Sequence, residues 1–95
     1  MKTVKIIKSS RSDKKYVALF NINGKKKTIH FGQSGADDYT ITKDEEQKKR
    51  YLDRHRANEN WNDPLTAGAL SRWILWNKPT ITEGIADYKN RFNFN

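Results

Sequence analysis

The sequence predicts an α+β domain: an N-terminal antiparallel β-hairpin plus a further strand, followed by three short α-helices packed on the sheet. The first third reads as strands, and the apolar pattern takes a helical period after residue 40. Strands followed by helices favour an antiparallel sheet covered on one face. Aromatic residues, 12% of the chain, offset an apolar content of only 35% and favour a folded protein.

The first strands are predicted from composition and from one turn. The segment "KTVKII" is rich in β-branched residues, which favour strands. The segment "KKYVALFNINGKKKTIHF" predicts a hairpin, because Asn23 and Gly24 suit the two positive-φ positions of a type I′ turn. A two-residue loop determines the register, so four cross-strand pairs share one face. They are Ile22 with Lys25, Phe20 with Lys27, Ala18 with Ile29, and Tyr16 with Phe31.

The first helix is predicted over residues 42–59, because Thr42 and Glu45 match a capping box. The second is predicted over residues 63–77. Its start is indicated by Asp63 as N-cap before a proline.

The third helix is predicted over residues 80–92, where Thr80 and Glu83 form another capping box. These helices and a basic sheet over residues 1–33 are expected to form one domain, residues 1–95.

The positive charge is concentrated in the predicted sheet. The net charge is +8; residues 1–33 contain nine basic residues and one acidic residue, whereas residues 34–95 contain ten of each. A polyanion would bind such a surface with release of its counterions. Arg72 is expected to point outward and to extend the surface. The predicted contacts are Lys5, Lys14, Lys15, Lys25, Lys26, Lys27, Arg54, Arg56 and Arg72.

Several classes of protein are disfavoured by composition. The chain has no cysteine, so it forms no disulfide and no thiolate metal site. No apolar run approaches the roughly 20 residues that span a bilayer, and the basic N-terminus lacks the apolar segment of a secretory signal. We therefore expect an intracellular, non-secreted protein with no membrane partner.

The stretch "HFGQSGADDYT", residues 30–40, raises the question of a loop that holds a ligand. Gly32 and Gly35 do not have the spacing of a phosphate-binding loop, and the calcium-loop pattern is absent. The two carboxylates that follow would repel phosphate. A turn between sheet and helix, in which aspartates accept hydrogen bonds from local amides, explains the pattern better.

A metal-dependent nuclease is the enzymatic alternative. It would require His30, His55, Asp37 and Asp38 to converge, although none of the usual metal-ligand spacings is present. A histidine at the inner edge of a helix, as in "RYLDRHRANENW", is more often a packed residue. Trp61 either seals a helix junction, which is favoured, or serves as a stacking platform for bases.

The stretches "HFGQSGADDYT" and "RYLDRHRANENWNDPLTAGALSRWILWNKPT", with the preceding hairpin, resemble a family of small basic proteins. The family is uncharacterised and is encoded by large double-stranded DNA viruses of algae and amoebae. The resemblance spans about residues 28–85. It implies a viral origin and carries over no catalytic assignment.

The sequence thus predicts a small, non-enzymatic nucleic-acid-binding protein of low sequence specificity, with DNA as the favoured ligand and genome packaging as the favoured role. It needs neither cofactor nor metal, and would act in the host's virus factory, nucleus or virion. The second alternative is a cementing protein whose basic face docks onto an acidic protein surface of a virion or another assembly. The oligomeric state is left open.

Overall fold

The computed structural model describes all 95 residues, Met1–Asn95. Strands β1 (Lys2–Lys8), β2 (Lys14–Ile22) and β3 (Lys25–Gln33) form one antiparallel sheet in the order β1-β2-β3. All helices follow the sheet in the chain. The predicted α+β class, with three N-terminal strands and helices after them, is confirmed.

The hairpin turn has the predicted geometry. Asn23 has φ 53° and Gly24 has φ 89°, the two positive values that a type I′ turn requires. The side chain of Asn21 supports the turn by accepting a 3.0 Å hydrogen bond from the backbone N–H of Gly24. The predicted register is confirmed for all four cross-strand pairs.

The first predicted helix is shorter than predicted, and a short helix precedes it. Helix α1 (Tyr39–Thr42) ends at Lys43, which adopts the left-handed conformation, and α2 (Glu45–His55) begins after it. The N-cap of α2 is Asp44, whose carboxylate accepts hydrogen bonds from two N–H groups of the first turn. The bounds 42–59 are therefore wrong: Thr42 ends α1 and Asp44 caps α2, which ends at His55.

The second predicted helix starts late and changes type. Helix α3 (Ala67–Leu70) is capped by Thr66 and continues directly as a π-helical segment (Ser71–Leu75). Asp63 caps no helix; its carboxylate accepts a hydrogen bond from Leu65 N–H within a turn. The predicted helix over residues 63–77 is wrong at both ends.

A contact with the last helix lies beside the late start. The Tyr88 hydroxyl donates a 2.5 Å hydrogen bond to the Pro64 carbonyl, in the turn that precedes α3. Tyr88 lies in α4 (Ile81–Phe92), close to the predicted range of 80–92. Thr80 caps α4 as predicted, accepting a hydrogen bond from Glu83 N–H.

The core lies between one face of the sheet and the helices. That inner face contributes Val4, Ala18, Phe20 and Phe31, and the helices and the C-terminal segment contribute Tyr39, Tyr51, Leu70, Ile74, Leu75, Trp76, Tyr88 and Phe94. The opposite face is mostly uncovered: Ile7 and Leu19 on it are 40% and 37% exposed, and only Val17 is buried, at 5%. None of the helices has the length and hydropathy needed to cross a membrane.

Candidate nucleic-acid interface

The uncovered face of the sheet presents nine side chains in three rows across the strands, which we call the outer face. The alternation of side chains and the strand register place them there. The rows are Thr3, Asn21 and Lys26; Lys5, Leu19 and Thr28; and Ile7, Val17 and His30. No acidic side chain is among them.

The only acidic residue in the first third of the chain is already paired. Asp13 lies in the β1–β2 loop, where Arg11 donates to its carboxylate at 2.7 Å. This hydrogen bond, with the charge of Arg11, lowers the pKa of Asp13. The sheet therefore has no free carboxylate that could neutralise its lysines.

Five exposed lysines of the sheet have no hydrogen-bond or ion-pair partner, and we call them the edge lysines. Two are on β1 and three are on β3, so they lie along the two outer strands of the sheet: Lys5, Lys8, Lys25, Lys26 and Lys27. Lys8 was not among the predicted contacts. Its position near the end of the β-branched "KTVKII" run could have indicated it, since β1 continues to Lys8.

The two predicted contacts at the start of β2 differ in their surroundings. The Lys15 ammonium donates to the Asp38 carboxylate at 2.6 Å and also to the Ala36 carbonyl. The two side chains of this ion pair are only 15% and 3% exposed. Lys15 is therefore committed to the adjoining loop, whereas the half-buried Lys14 has no partner.

The loop that follows β3 is a structural turn, as predicted. Asp38 caps α1, accepting hydrogen bonds from the backbone N–H of Thr40 at 2.9 Å and from the Thr40 hydroxyl at 2.5 Å. Gly32 and Gly35 both have positive φ, 79° and 82°. At Gly32 a Cβ atom would also approach Leu75 to 2.9 Å, so glycine is needed there for packing as well as for conformation.

The four residues of the hypothetical nuclease site do not all converge: Asp37, Asp38 and His55 line one cavity, and His30 lies elsewhere. His30 lies on the outer face, with its Nδ1 2.7 Å from the Ser9 hydroxyl. His55 lies in the helix layer, where its Nδ1 is 2.9 Å from the Glu59 carboxylate. Asp38 is held by Lys15, and no three His, Asp or Glu side chains are placed to bind a metal ion. The site predicted from these residues is therefore not formed.

A cavity of about 540 Å³ opens on the helix side of the sheet, at the end of the hairpin remote from the Asn23-Gly24 turn. Its lining mixes both signs of charge, with three cations (Lys14, Lys15 and Arg54) and three acids (Asp37, Asp38 and Glu59). His55 and Trp76 stack on the two sides of Tyr51, with ring centroids 4.2 and 4.3 Å from it. A lining of balanced charge does not extend the basic surface.

The predicted arginine contacts lie away from the outer face. Arg54 and Arg56 are exposed on and just after α2, in the helix layer. Arg72, which was expected to point outward, is half-buried, and its guanidinium lies 5.5 Å from the Trp61 ring and 4.2 Å from the Trp73 ring. Burial, together with the charge of Arg91, lowers the pKa of Arg72.

Trp61 has the packing role that was favoured. Its Nε1–H donates a 2.7 Å hydrogen bond to Glu59, and its carbonyl accepts one of 2.9 Å from the Trp73 indole. Arg72 donates to the Trp76 carbonyl at 2.8 Å and so joins the same cluster. These groups connect the helices to one another and offer no stacking platform beside the lysines.

The comparisons with known proteins yield one match. The model of a family of unknown function matches residues 4–55, more than half of the chain. The matched region includes all five edge lysines and the turn that precedes α1. No curated protein and no solved structure matches the chain.

Proposed function

The chain belongs to DUF5754, a family of unknown function, and on that premise we propose a role from its own residues: it binds nucleic acid, without a catalytic step. DNA is the favoured ligand, and the edge lysines make the contacts. The observation that supports this proposal is that all five are exposed and free of partners, on a sheet whose adjoining acids Asp13 and Asp38 are already paired.

Binding through such lysines is electrostatic. Each ammonium that approaches a phosphate releases condensed counterions, which favours association at low salt. Phosphate contacts position a protein on nucleic acid but do not read its sequence, so low selectivity is expected. The resemblance to small basic proteins of large double-stranded DNA viruses further supports a packaging role inside the infected cell or the virion.

The proposal is tested by a triple substitution, Lys25→Glu, Lys26→Glu and Lys27→Glu, assayed on a labelled duplex of about 30 base pairs across a salt series. Wild-type protein is expected to bind the duplex, and the logarithm of its affinity should fall linearly with the logarithm of the salt concentration. The variant is expected to lose binding, because three phosphate contacts are replaced by repulsion. Circular dichroism should remain unchanged, since all three side chains are exposed.

The matched control is Lys49→Glu, Arg50→Glu and Lys78→Glu, three exposed cations of the helix layer that have no partner. Each substitution exchanges a positive for a negative charge, so the net charge falls from +8 to +2 in both variants. Equal losses in the two variants would attribute binding to net charge alone. Full binding by the first variant would refute the proposal, and no binding by wild-type protein at low salt would favour an acidic protein partner.

A further inference from the structure

We propose that the outer face enters the major groove of B-form duplex DNA, an inference that rests on the proposed function and names its substrate class. The helices of the core pack on the inner face of the sheet, so most of the outer face is accessible; Val17, at 5% exposed, is the exception. Its rows carry lysine, asparagine and threonine, and no carboxylate. This face complements DNA in charge.

The width of the sheet suits one groove. Neighbouring strands lie about 4.8 Å apart, so the backbones of β1 and β3 are separated by roughly 10 Å. The major groove of B-DNA is about 12 Å wide and admits a two-stranded β-ribbon, whereas the minor groove is only about 6 Å wide. A third strand at this spacing keeps the three backbones within the width of the major groove. The sheet therefore fits the major groove and is too broad for the minor groove.

Lysines lie on both outer strands of the sheet. Lys5 on β1 and Lys26 on β3 are on the outer face, whereas the alternation of side chains directs Lys8, Lys25 and Lys27 to the other side of the same two strands. A groove of duplex DNA is likewise bordered by two phosphate backbones, one on each side. A protein that followed a single strand would need cations along one line, so lysines on both outer strands favour a duplex.

The central row of the outer face is suited to base edges. Lys5, Leu19 and Thr28 are aligned across the three strands, and all three are exposed. In the major groove a lysine can donate to guanine, a threonine hydroxyl can bond to several bases, and an apolar side chain can contact a thymine methyl group. This chemistry gives a modest sequence preference in addition to the phosphate contacts.

The aromatic residues of the sheet point away from this face. Tyr16, Phe20 and Phe31 all lie on the inner face, and two of them are fully within the core. Proteins that bind single strands rely on exposed aromatic rings on which bases stack. Without such rings, the outer face should bind a single strand more weakly than a duplex.

The experiment compares three probes at one low salt concentration: a DNA duplex, an RNA duplex of the same sequence, and one DNA strand alone. An A-form RNA duplex carries similar phosphates, but its major groove is too deep and narrow for side chains to read. We expect the wild-type protein to bind the DNA duplex roughly tenfold or more tightly than either other probe.

A pair of variants tests the face itself. Leu19→Glu with Thr28→Glu places two carboxylates at the centre of the outer face and leaves every lysine in place. Thr82→Glu with Asn90→Glu adds the same charge at exposed positions of α4. We expect roughly a tenfold or greater loss of duplex affinity for the first pair, and a much smaller loss for the second.

The two proposals fail in different ways. Equal affinity for DNA and RNA duplexes, or equal effects of the two variant pairs, would overturn entry into the groove while the binding of nucleic acid stands. Absence of binding to all three probes would instead overturn the proposed function. If Leu19→Glu perturbs folding, Thr28→Glu alone gives the same test, because Thr28 is exposed on an outer strand.

Discussion

Lys14 and Lys15 are adjacent in the sequence, yet only one of them has a fixed partner. Lys15 is held by Asp38 and by the Ala36 carbonyl, whereas Lys14 has no hydrogen-bond or ion-pair partner. The pairing depends on how the loop after β3 folds back, 23 residues away in the chain. For this reason local sequence could predict two basic residues but could not distinguish their roles.

At the same scale, we expect Lys15→Met to reduce the free energy of unfolding by about 3 kcal/mol, because it leaves the buried Asp38 carboxylate without its cation. Lys14→Met makes the same chemical change at a position with no partner, and should change stability by less than about 0.5 kcal/mol. Urea unfolding of both variants provides the measurement. Equal stabilities would show that the ion pair contributes nothing to the fold.

Among the elements, the π-helical segment and α4 pack with their backbones in close contact. A Cβ atom on Gly84 would lie 2.6 Å from the Ile74 carbonyl oxygen and 3.0 Å from the Ile74 Cα. Both are backbone atoms and cannot rotate away. Glycine at this helical position is therefore required by packing.

Gly84→Ala tests this packing, because two effects oppose each other. Alanine favours an exposed helix by about 1 kcal/mol over glycine, but overpacking a well-filled core costs about 1–3 kcal/mol. We expect the steric cost to prevail and the melting temperature to fall. Asn90→Ala at an exposed position of the same helix should raise it slightly. A Gly84→Ala variant as stable as wild type would mean that the two elements are farther apart.

The elements that local signals determine were predicted well. Asn23 and Gly24 were enough to predict the hairpin and its register, and Thr80 was enough to predict the start of α4. The start of α3 was missed because two residues offered a cap: Thr66 caps the helix, whereas Asp63 accepts a hydrogen bond within the turn before it. A pattern of apolar spacing also cannot distinguish the π-helical segment from α-helix.

For the molecule as a whole, all four tyrosines contribute to a dependence of stability on alkaline pH. Burial is the largest cause that raises the pKa of each: Tyr16, Tyr39, Tyr51 and Tyr88. A tyrosine in the unfolded chain has a pKa of about 10. Where folding raises that pKa, the tyrosine stabilises the folded state, and this stabilisation is complete at any pH below about 10. The contribution is lost as the pH rises through the pKa of the folded protein.

We therefore expect the tyrosinate absorbance of the native protein to rise at higher pH than that of the urea-unfolded chain. The rise should coincide with loss of the far-ultraviolet circular dichroism signal, because Tyr88 cannot ionise without leaving the core. Tyr88→Phe should remove part of the delayed absorbance change. Ionisation near pH 10 with the circular dichroism unchanged would contradict the burial of these phenols.

Part of the candidate interface could be predicted from the sequence. The excess of lysine in the first third indicated a basic sheet, and the lysines beside the turn are exposed as that position suggests. The orientation of Arg72 was not predictable, because it depends on the indole rings of Trp61 and Trp73 from separate parts of the chain. The contribution of each cation to the surface depends on the tertiary structure.

The free edge of the sheet has a consequence for self-association. β3 pairs only with β2, so its other side presents unpaired N–H and C=O groups, which in many proteins recruit a strand from a second copy. We expect the three consecutive lysines at the start of this strand to disfavour such pairing, since charged side chains on an edge strand oppose the approach of a second copy. Neutral replacements would remove this protection together with the proposed phosphate contacts. Glutamates restore like-charge repulsion between copies, which should keep the protein in solution as separate chains.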